Sequence, residues 1–416
     1  MDIIRGIKGT KDILPSESSI WQFVENNIHK FMKSYGYGEI RTPKFENSLL
    51  FNRSIGINTD IVSKEMYSWT DQGGNNLTLK PEVTASVVRS FIQHNLGKQS
   101  QLNKFYYIDS LFRRERPQKG RYRQFEQFGV EAIGSNNPEQ DAEIISMAYL
   151  FYENLGLNNI NLKINSIGSK ESRLEYKKAL KDFFEPHKDK LTSTSITRLN
   201  DNPLRILDTK IDFEKELIKN APKIIDFLSS EDKEHFNKVL FYLEKLNIKY
   251  EIDHFLVRGL DYYCNTVFEI QSSLLGSQSA LCGGGRYDYL IEELGGKHTP
   301  AIGFAAGIER LIIALDNKIK LDDSPDIYLV TLGESTIDVG LNFATKLRKK
   351  CSLNVISDMF QKNMKSQLKE ANKLNAKYAI IIGENELANK EVIIKNMLTG
   401  NQESIHFNQV INYFKK

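Results

Sequence analysis

The sequence lacks most of the features that would place it in a secreted, membrane or metal-binding class. It has only three cysteines among 416 residues, too few and too scattered for a disulfide framework or a metal-ligand cluster. No run of about 18 apolar residues occurs, so no membrane-spanning helix is predicted. The first 15 residues are charged and have no apolar signal core, which argues against secretion. The predicted compartment is therefore a reducing cytoplasm, with no membrane partner.

Several common catalytic motifs are also absent. The chain has no GxxxxGK[ST] phosphate loop, no HExxH zinc motif, no CxxC pair and no GxSxG nucleophile elbow. The glycines at 283–285 are followed by Arg-Tyr-Asp and not by a dinucleotide fingerprint. We therefore predict no protein-ligated metal. The net charge of +3 is too small to indicate a nucleic-acid partner, so a local basic patch would have to carry that argument.

What the chain does contain is enough apolar sequence for packed cores, 40% of its residues, and a length typical of two or three domains. From 169 to 250 the texture becomes rich in Lys, Glu, Asn and Leu with helical spacing, and glycine is absent. We interpret this stretch as a helical insertion; an ordinary helical part of the core domain is the alternative. The predicted divisions are 1–168, 169–250, 251–321 and 325–416.

Periodicity and turn residues predict the elements in outline. Helices are predicted at 18–35, 83–95, 138–155, about 304–315, 335–350 and 361–375. Strands are predicted at 39–43, 76–80, 104–114, 123–133, 255–258, 262–271, 281–285, 327–331, 354–357 and 378–383. The two strands around the charged loop 115–122 form an antiparallel hairpin, and the last three strands alternate with helices as in a small mixed or parallel α/β domain.

Polar residues on this hairpin are the first sign of a site. Period-two alternation places one set on a single face of the second strand: Arg123, Phe125, Gln127, Gly129 and Glu131. The first strand adds Arg113 and Glu115 to one face. A solvated sheet face is the alternative interpretation. Phe125 and Gly129 favour a binding site, because a planar apolar side chain beside Glu115 and Arg113 can hold an aromatic base and its phosphate.

Two further arginines fall in distinctive contexts. Arg258 lies in a predicted strand, where simple alternation places Tyr262 on its face and Tyr263 on the other; a bulge near Gly259 would bring both tyrosines inward. Arg310 follows a run of small residues, 301–307, that would let a ligand approach closely. A tightly packed helix with a surface arginine is the alternative for that segment.

Together these segments resemble the class II aminoacyl-tRNA synthetases, and specifically the histidyl-tRNA synthetase family, over nearly the whole chain. Residues 36–43 resemble motif 1, residues 112–125 resemble motif 2 with its basic loop, and residues 303–310 resemble motif 3. Residues 256–263 and 284–288 are similar to the two histidine signatures. One departure is Lys80-Pro81-Glu82-Val83-Thr84, where the family usually has Arg-Pro-Glu-Gly-Thr.

The resemblance implies an α+β fold, with an antiparallel-sheet catalytic domain carrying a helical insertion and a C-terminal α/β anticodon-binding domain. It implies that L-histidine and ATP give histidyl-adenylate and pyrophosphate, and that histidine then passes to the 3′ end of tRNA(His). It also implies Mg²⁺ bound with ATP, and a homodimer. The alternative is a non-catalytic, synthetase-like regulatory subunit of a histidine-biosynthesis phosphoribosyltransferase.

The resemblance also assigns roles to residues. Catalytic clamping of the α-phosphate falls to Arg113 and Arg258. ATP binding falls to Arg113, Glu115, Arg121, Phe125 and Arg310. Histidine binding falls to Glu82, Thr84, Arg113, Gln127, Glu131, Arg258, Tyr262 and Tyr263. The tRNA acceptor end falls to Arg116 and Gln118. For the anticodon side the candidates are Lys346, Arg348, Lys349 and Lys350, for which a solvated helix end is an equal alternative.

Overall fold

The computed structural model describes residues 3–56, 59–276, 279–315, 319 and 321–415. It divides into two compact units, Met1–Ile319 and Lys320–Lys416. Among the described residues, no helix is both long enough and apolar enough to cross a membrane.

The first unit combines a large sheet with helices on its faces. Its strands are β1 (Gly38–Glu39), β2 (Phe45–Asn47), β3 (Tyr67–Thr70), β4 (Asn76–Leu79), β5 (Asn103–Phe112), β6 (Gln124–Ile133), β7 (Ile160–Ser166), β8 (Glu251–Ile252), β9 (Cys264–Ser272), β10 (Ala280–Arg286) and β11 (Ala301–Gly307). Its helices are α1 (Pro15–Ser34), α2 (Ser48–Ile55), α3 (Thr84–Gln93), α4 (Pro138–Asn154), α5 (Lys170–Phe184), α6 (Ser193–Asp201), α7 (Asp212–Ile218), α8 (Ser230–Lys245), α9 (Leu290–Glu293) and α10 (Ile308–Leu315).

The large sheet has the strand order β1-β5-β6-β11-β10-β9-β7-β8 and is antiparallel except at its two outer pairs, β1 with β5 and β7 with β8. The predicted hairpin is confirmed, with β5 and β6 paired from Asn103↔Ile133 to Phe112↔Gln124. A second, three-stranded sheet has the order β2-β4-β3. The predicted α+β class with a large, mostly antiparallel sheet is therefore confirmed.

Helices α1, α4 and α8 bury their apolar faces against one side of the large sheet. In α1 the spacing of Val24, Ile28 and Met32 forms a continuous buried stripe. The helix starts at Pro15 and not at residue 18, because the fixed φ of proline suits the first helical position. Phe236, on α8, packs into the same core.

The helical segment between β7 and β8 also has a core of its own. Tyr176, Leu180 and Phe184 on α5 lie at helical spacing and pack with apolar residues from α6 and the turns that follow it. Because α8 packs on the sheet and α5 to α7 do not share that core, the segment has two differently packed parts. The division at 169 and 250 remains a prediction.

Two predicted elements near the polar residues are wrong. The described backbone of residues 255–258 is irregular, and β9 begins at Cys264 instead of Tyr262. Residues 301–307 form β11 and not the start of a helix. The reason is tertiary, since β11 lies between β6 and β10 and its backbone groups bond to both neighbours.

The second unit alternates strands and helices as predicted and adds an antiparallel hairpin. Its strands are β12 (Ile327–Thr331), β13 (Val355–Ser357), β14 (Tyr378–Ile382), β15 (Glu391–Asn396) and β16 (Gln402–His406). Its helices are α11 (Ile337–Cys351), α12 (Met364–Lys373), α13 (Glu384–Asn389) and α14 (Val410–Phe414). The sheet order is β13-β12-β14-β15-β16, with β12 parallel to both neighbours and the other pairs antiparallel.

Candidate active site

One cavity of about 770 Å³ opens on the large sheet, and three arginines line it: Arg113, Arg258 and Arg310. Arg113 and Arg258 do not lie on strands as predicted, whereas Arg310 lies on a helix, as predicted. Arg113 follows β5 directly, Arg258 lies on the irregular segment before β9, and Arg310 lies in the first turn of α10. Residues separated by nearly 200 positions thus converge on one space, which is the arrangement that the charged chemistry inferred from the sequence requires.

Arg113 is held at the base of the hairpin by backbone and ring contacts. Its Nε donates to the Pro81 carbonyl oxygen at 2.8 Å. Its guanidinium carbon lies 5.4 Å from the centre of the Phe125 ring, a cation–π distance. Its Nη1 lies 3.8 Å from Glu115 Oε1, while Arg121 pairs with the other oxygen of Glu115. Of the hairpin residues predicted to share a face, Arg113, Glu115, Phe125 and Gln127 therefore line the cavity. Arg123 does not line it, and its Nη1 donates to the Lys8 carbonyl oxygen at 3.2 Å.

Two residues that were not predicted from the sequence, Glu269 and Gly283, position Arg258. Its Nη1 pairs with Glu269 on β9, and Gln271 donates to the other carboxylate oxygen at 2.7 Å. Burial opposes ionisation of Glu269, but the Arg258 guanidinium and the Gln271 amide together hold the Glu269 pKa below its usual value. A lone acid in the apolar run of β9 is the sequence signal that could have identified Glu269.

The second missed residue is Gly283, on β10. A Cβ added there would lie 2.0 Å from Arg258 Nη2, so only glycine leaves room for the guanidinium. Gly283 is therefore a space-making residue and not part of a phosphate loop.

Arg310 is fixed by carbonyl oxygens on either side of the cavity. Its Nη1 donates to Ala280 at 2.9 Å and its Nε donates to Gly120, in the hairpin loop, at 3.3 Å. The neighbouring Glu309 accepts the Glu126 backbone N–H at 2.9 Å, and burial raises the pKa of Glu309 to about 7. Through these hydrogen bonds Arg310 and Glu309 connect the start of α10 to the hairpin loop and to β6 and β10.

Glu131 is 1% exposed and is not among the described residues that line the cavity, but it contacts Thr84, which does line it. Thr84 donates to Glu131 Oε1 at 2.7 Å, and the Tyr287 hydroxyl donates to Oε2. Gly303 makes room for this carboxyl, since a Cβ there would lie 2.0 Å from Oε2. Burial raises the pKa of Glu131 to about 8 despite these two donors. The small residues of motif 3 therefore accommodate an acidic side chain; the close approach of a ligand remains a prediction.

Tyr262 and Tyr263 both line the cavity, their ring centres 4.7 Å apart. Strand alternation does not apply, because this segment is irregular, and Arg173 from the helical segment holds the Tyr263 carbonyl oxygen at 2.6 Å. The sequence did not decide whether both tyrosines face inward. In the structure both face the cavity because they lie in an irregular loop and not in a strand.

Glu82, Thr84 and Gln127 also line the cavity. Glu82 accepts the Ala85 backbone N–H at 2.9 Å, and burial raises its pKa. The neighbouring Lys80 points away: it is completely buried and donates to Thr42 Oγ1 at 3.0 Å and to Asp109. Of the two departures from the family pattern in this segment, Lys80 therefore lies in a buried ion pair, whereas Val83 lies in the cavity wall.

The remaining sequence candidates lie outside the cavity wall. Arg116 and Gln118 are exposed on the hairpin loop, whose tip is closed by two backbone hydrogen bonds between Gln118 and Arg121. In the second signature, Arg286 is fully buried and bonds Asp141 at 2.7 Å and Asp288 at 3.0 Å. The buried ion pairs of Arg286 therefore fix the backbone next to Tyr287, whose hydroxyl group donates to Glu131.

The raised pKa of Glu131 gives a pH prediction. The unfolded carboxyl loses its proton near 4.5, whereas the folded one keeps it to about 8. Its contribution to stability is therefore complete below about 4.5 and is lost as the pH rises through the folded value. We expect the midpoint temperature of the wild-type chain, relative to Glu131→Gln, to fall by about 5 °C between pH 5 and pH 8.5. Parallel profiles for the two proteins would contradict the raised pKa.

A large, mostly antiparallel sheet with a cavity on which arginines converge is the catalytic architecture of class II aminoacyl-tRNA synthetases. Family profiles agree: residues 9–311 match histidyl-tRNA synthetase and residues 326–416 match an anticodon binding domain. The chain belongs to the histidyl-tRNA synthetase family.

Individual relatives are similar over their full length. A protein of Halothermothrix orenii named histidine--tRNA ligase is 49% identical, covering 99% of each chain. One of Staphylococcus haemolyticus with the same name is 47% identical over 100% of this chain and 99% of its own. The crystal structure of apo S. aureus histidyl-tRNA synthetase matches with a TM-score of 0.84 at 40% identity, covering all of both chains.

Proposed function

We propose that this chain activates L-histidine with ATP to give histidyl-adenylate and pyrophosphate, and then transfers histidine to the 3′ end of tRNA(His). The observation that carries this proposal is the convergence of Arg113, Arg258 and Arg310 on one cavity, whose wall includes the Glu131 partner Thr84. Full-length relatives that are named histidine--tRNA ligase support the same activity.

In the first step a carboxylate oxygen of histidine attacks the α-phosphorus of ATP, and pyrophosphate leaves. Negative charge grows on the phosphorus oxygens in the transition state, so fixed cations aimed at them supply most of the catalysis. We assign this role to Arg113 and Arg258, whose guanidinium groups are held by Pro81 and Glu269. These partners fix both cations before substrate arrives, which reduces the cost of reorganisation.

For the nucleotide, we assign the adenine ring to the space between Phe125 and Arg310, with Glu115 accepting its amino group. Arg121, which pairs with Glu115, would reach the distal phosphates. The cation–π distance between Arg113 and Phe125 supports this assignment, because it places a flat apolar face next to a phosphate-binding cation.

For histidine, we assign Glu82, Thr84 and Gln127 to the ammonium and carboxylate, and Glu131 with Tyr263 to the imidazole nitrogens, Tyr262 closing the pocket. A carboxyl whose pKa is about 8 can either donate to or accept from an imidazole ring near neutral pH. Such paired hydrogen bonds discriminate strongly between histidine and its analogues, because an analogue that cannot form them leaves buried polar groups without a hydrogen-bond partner.

The transfer step requires no protein nucleophile. The cysteines nearest the cavity, Cys264 and Cys282, are buried, and burial raises the pKa of both thiols, that of Cys282 to about 12. We assign proton acceptance to an oxygen of the adenylate phosphate. The exposed Arg116 and Gln118 are placed to contact the acceptor end, where an arginine can read guanine bidentately.

Mg²⁺ would enter with ATP, held mainly by phosphate oxygens and water. No group of three or more acidic, His or Cys side chains that could hold a metal ion occurs in the part of the chain that the structure describes. The acids nearest the phosphate-binding arginines, Glu115 and Glu269, already carry arginine partners. The residues present thus fit a metal that ATP carries in.

The proposal predicts that histidine, alone among the twenty amino acids, stimulates exchange of labelled pyrophosphate into ATP. The physical reason is the assigned pairing of Glu131 and Tyr263 with the imidazole nitrogens, because other side chains would leave these polar groups unpaired. Exchange assays with each amino acid, and without any, measure this directly. Equal stimulation by threonine or proline would contradict the specificity.

The regulatory-subunit alternative would show no exchange with any amino acid. It is less supported, because residues 326–416 match an anticodon binding domain and the charged cavity is complete. Such a regulatory protein typically lacks that domain.

We further propose a cytoplasmic homodimer with the domain divisions 1–168, 169–250, 251–321 and 325–416. Three free cysteines support a reducing compartment. Exposed apolar residues near motif 1, including Phe45 at 52% and Trp69 at 41% exposure, support a covering partner copy. Sedimentation velocity of the intact chain tests the dimer.

A further inference from the structure

The second unit exposes two large apolar side chains side by side, in the loop 358–363 between β13 and α12. Met359 is 70% exposed and Phe360 is 78% exposed. Single exposed apolar residues are common on protein surfaces, so exposure alone does not indicate a binding site. What distinguishes this loop is that it is rigid and basic as well as apolar.

Hydrogen bonds fix the loop from both ends. Asp358 Oδ2 accepts the backbone N–H groups of Phe360 at 3.2 Å and of Lys362 at 2.9 Å. The buried Gln367 donates to the Lys362 carbonyl oxygen and, at 2.8 Å, to that of Thr331 on β12. The Phe360 ring is therefore held outward by the loop, and its exposure does not result from loose packing.

The charge around the ring is mainly positive. Lys362 Nζ lies 4.9 Å from the Phe360 ring centre. Four lysines and two acids occur between 358 and 373; Asp358 is occupied by the loop amides and Glu370 lies 3.6 Å from Lys373. The first turn of α12 contains Lys365 and no acid, although an acid there would suit the helix dipole better. This charge favours an anionic partner.

A flat exposed ring beside ammonium groups matches the chemistry of unpaired nucleic acid. A base stacks on an aromatic face while lysines contact the neighbouring phosphates. A protein partner would more commonly be met by a broad apolar patch with few lysines, since interfaces are depleted in Lys. The family profile for an anticodon binding domain covers this loop.

We infer that Phe360 is the stacking platform for an unpaired base of the tRNA anticodon loop, and that Lys362 and Lys365 bind the flanking phosphates. This inference rests on the proposed function, because it takes tRNA(His) as the ligand. It differs from the sequence-based candidates at the end of α11, where Arg348 already donates to the Val355 carbonyl oxygen at 2.6 Å.

The test compares Phe360→Ala with Phe360→Trp in the full chain. Loss of one stacked base predicts about a ten-fold fall in kcat/KM for aminoacylation of full-length tRNA(His), with the tryptophan variant within about three-fold of wild type. Leu398→Ala is the matched control, because Leu398 is 93% exposed in the same unit and lies on another turn. Filter binding of the same tRNA should show the same order of affinities.

Three readouts separate the possible outcomes. The Phe360→Ala defect should vanish with an acceptor-stem minihelix that lacks the anticodon loop, and histidine-dependent pyrophosphate exchange should be unchanged. Three results would each overturn the inference. The first is wild-type kinetics and tRNA affinity for Phe360→Ala, and the second is an equal defect with the minihelix. The third is a changed sedimentation coefficient with unchanged tRNA affinity. Absence of pyrophosphate exchange in the wild-type chain would instead reject the proposed function. In that case the tRNA affinities of wild type and Phe360→Ala, measured by filter binding, still test the role of Phe360.

Discussion

Replacing Arg258 by alanine should lower the rate of histidyl-adenylate formation by about 10³-fold, while KM for ATP changes by less than about three-fold. The reason is that Arg258 faces the cavity with its guanidinium already paired to Glu269, so it offers a fixed charge to the reacting phosphate. Charge that develops only in the transition state affects kcat far more than ground-state binding. Single-turnover formation of the adenylate, measured without tRNA, reports the chemical step directly.

The controls separate lost charge from lost structure. Arg258→Lys should recover only part of the rate, because an ammonium cannot reproduce the planar contacts of a guanidinium. Arg53→Ala, at an exposed arginine of α2 outside the cavity wall, should behave like wild type. If adenylation in Arg258→Ala stays within ten-fold of wild type while histidine still binds, the electrostatic role of Arg258 is wrong.

A single methyl group at Gly283 should have nearly as large an effect, about 10²-fold on adenylate formation. The new Cβ would lie 2.0 Å from Arg258 Nη2 and 2.7 Å from Nη1, and its three nearest atoms all belong to that side chain. The φ angle of Gly283 lies outside the left-handed region, so alanine is compatible with the backbone of β10. The guanidinium must therefore move, and its alignment with Glu269 and the phosphate is lost.

The matched substitution is Gly6→Ala, where an added Cβ meets nothing within 4 Å and φ is again not positive. Gly6→Ala should retain wild-type activity, and both variants should keep wild-type melting temperatures to within about 3 °C. The double variant Gly283→Ala with Arg258→Ala should be no slower than Arg258→Ala alone, because the glycine acts through the arginine. Additive losses would show that Gly283 has another role.

Local periodicity explains what could be predicted from the sequence. The β5–β6 hairpin, the buried stripe of α1 and the strand–helix alternation after β12 are set by residues close in sequence, and all were anticipated. The face of β6 that brings Phe125 and Gln127 into the cavity wall follows from the two-residue repeat of a strand, whereas Arg113 and Glu115 lie beyond the end of β5. The same reasoning failed at 255–258 and 301–307, where the environment of the sheet decides the backbone.

Tertiary structure alone decided how the candidate residues act. The ion pair of Arg258 with Glu269, and the space that Gly283 leaves for it, join an irregular loop to two strands whose pairing no local pattern encodes. The pKa of Glu131, about 8, likewise results from burial among α3, β10 and β11. The sequence by itself determined which charged groups the chain carries and the faces of its regular elements. Their convergence and their ionisation depend on long-range packing, because distance and desolvation are properties of the folded chain.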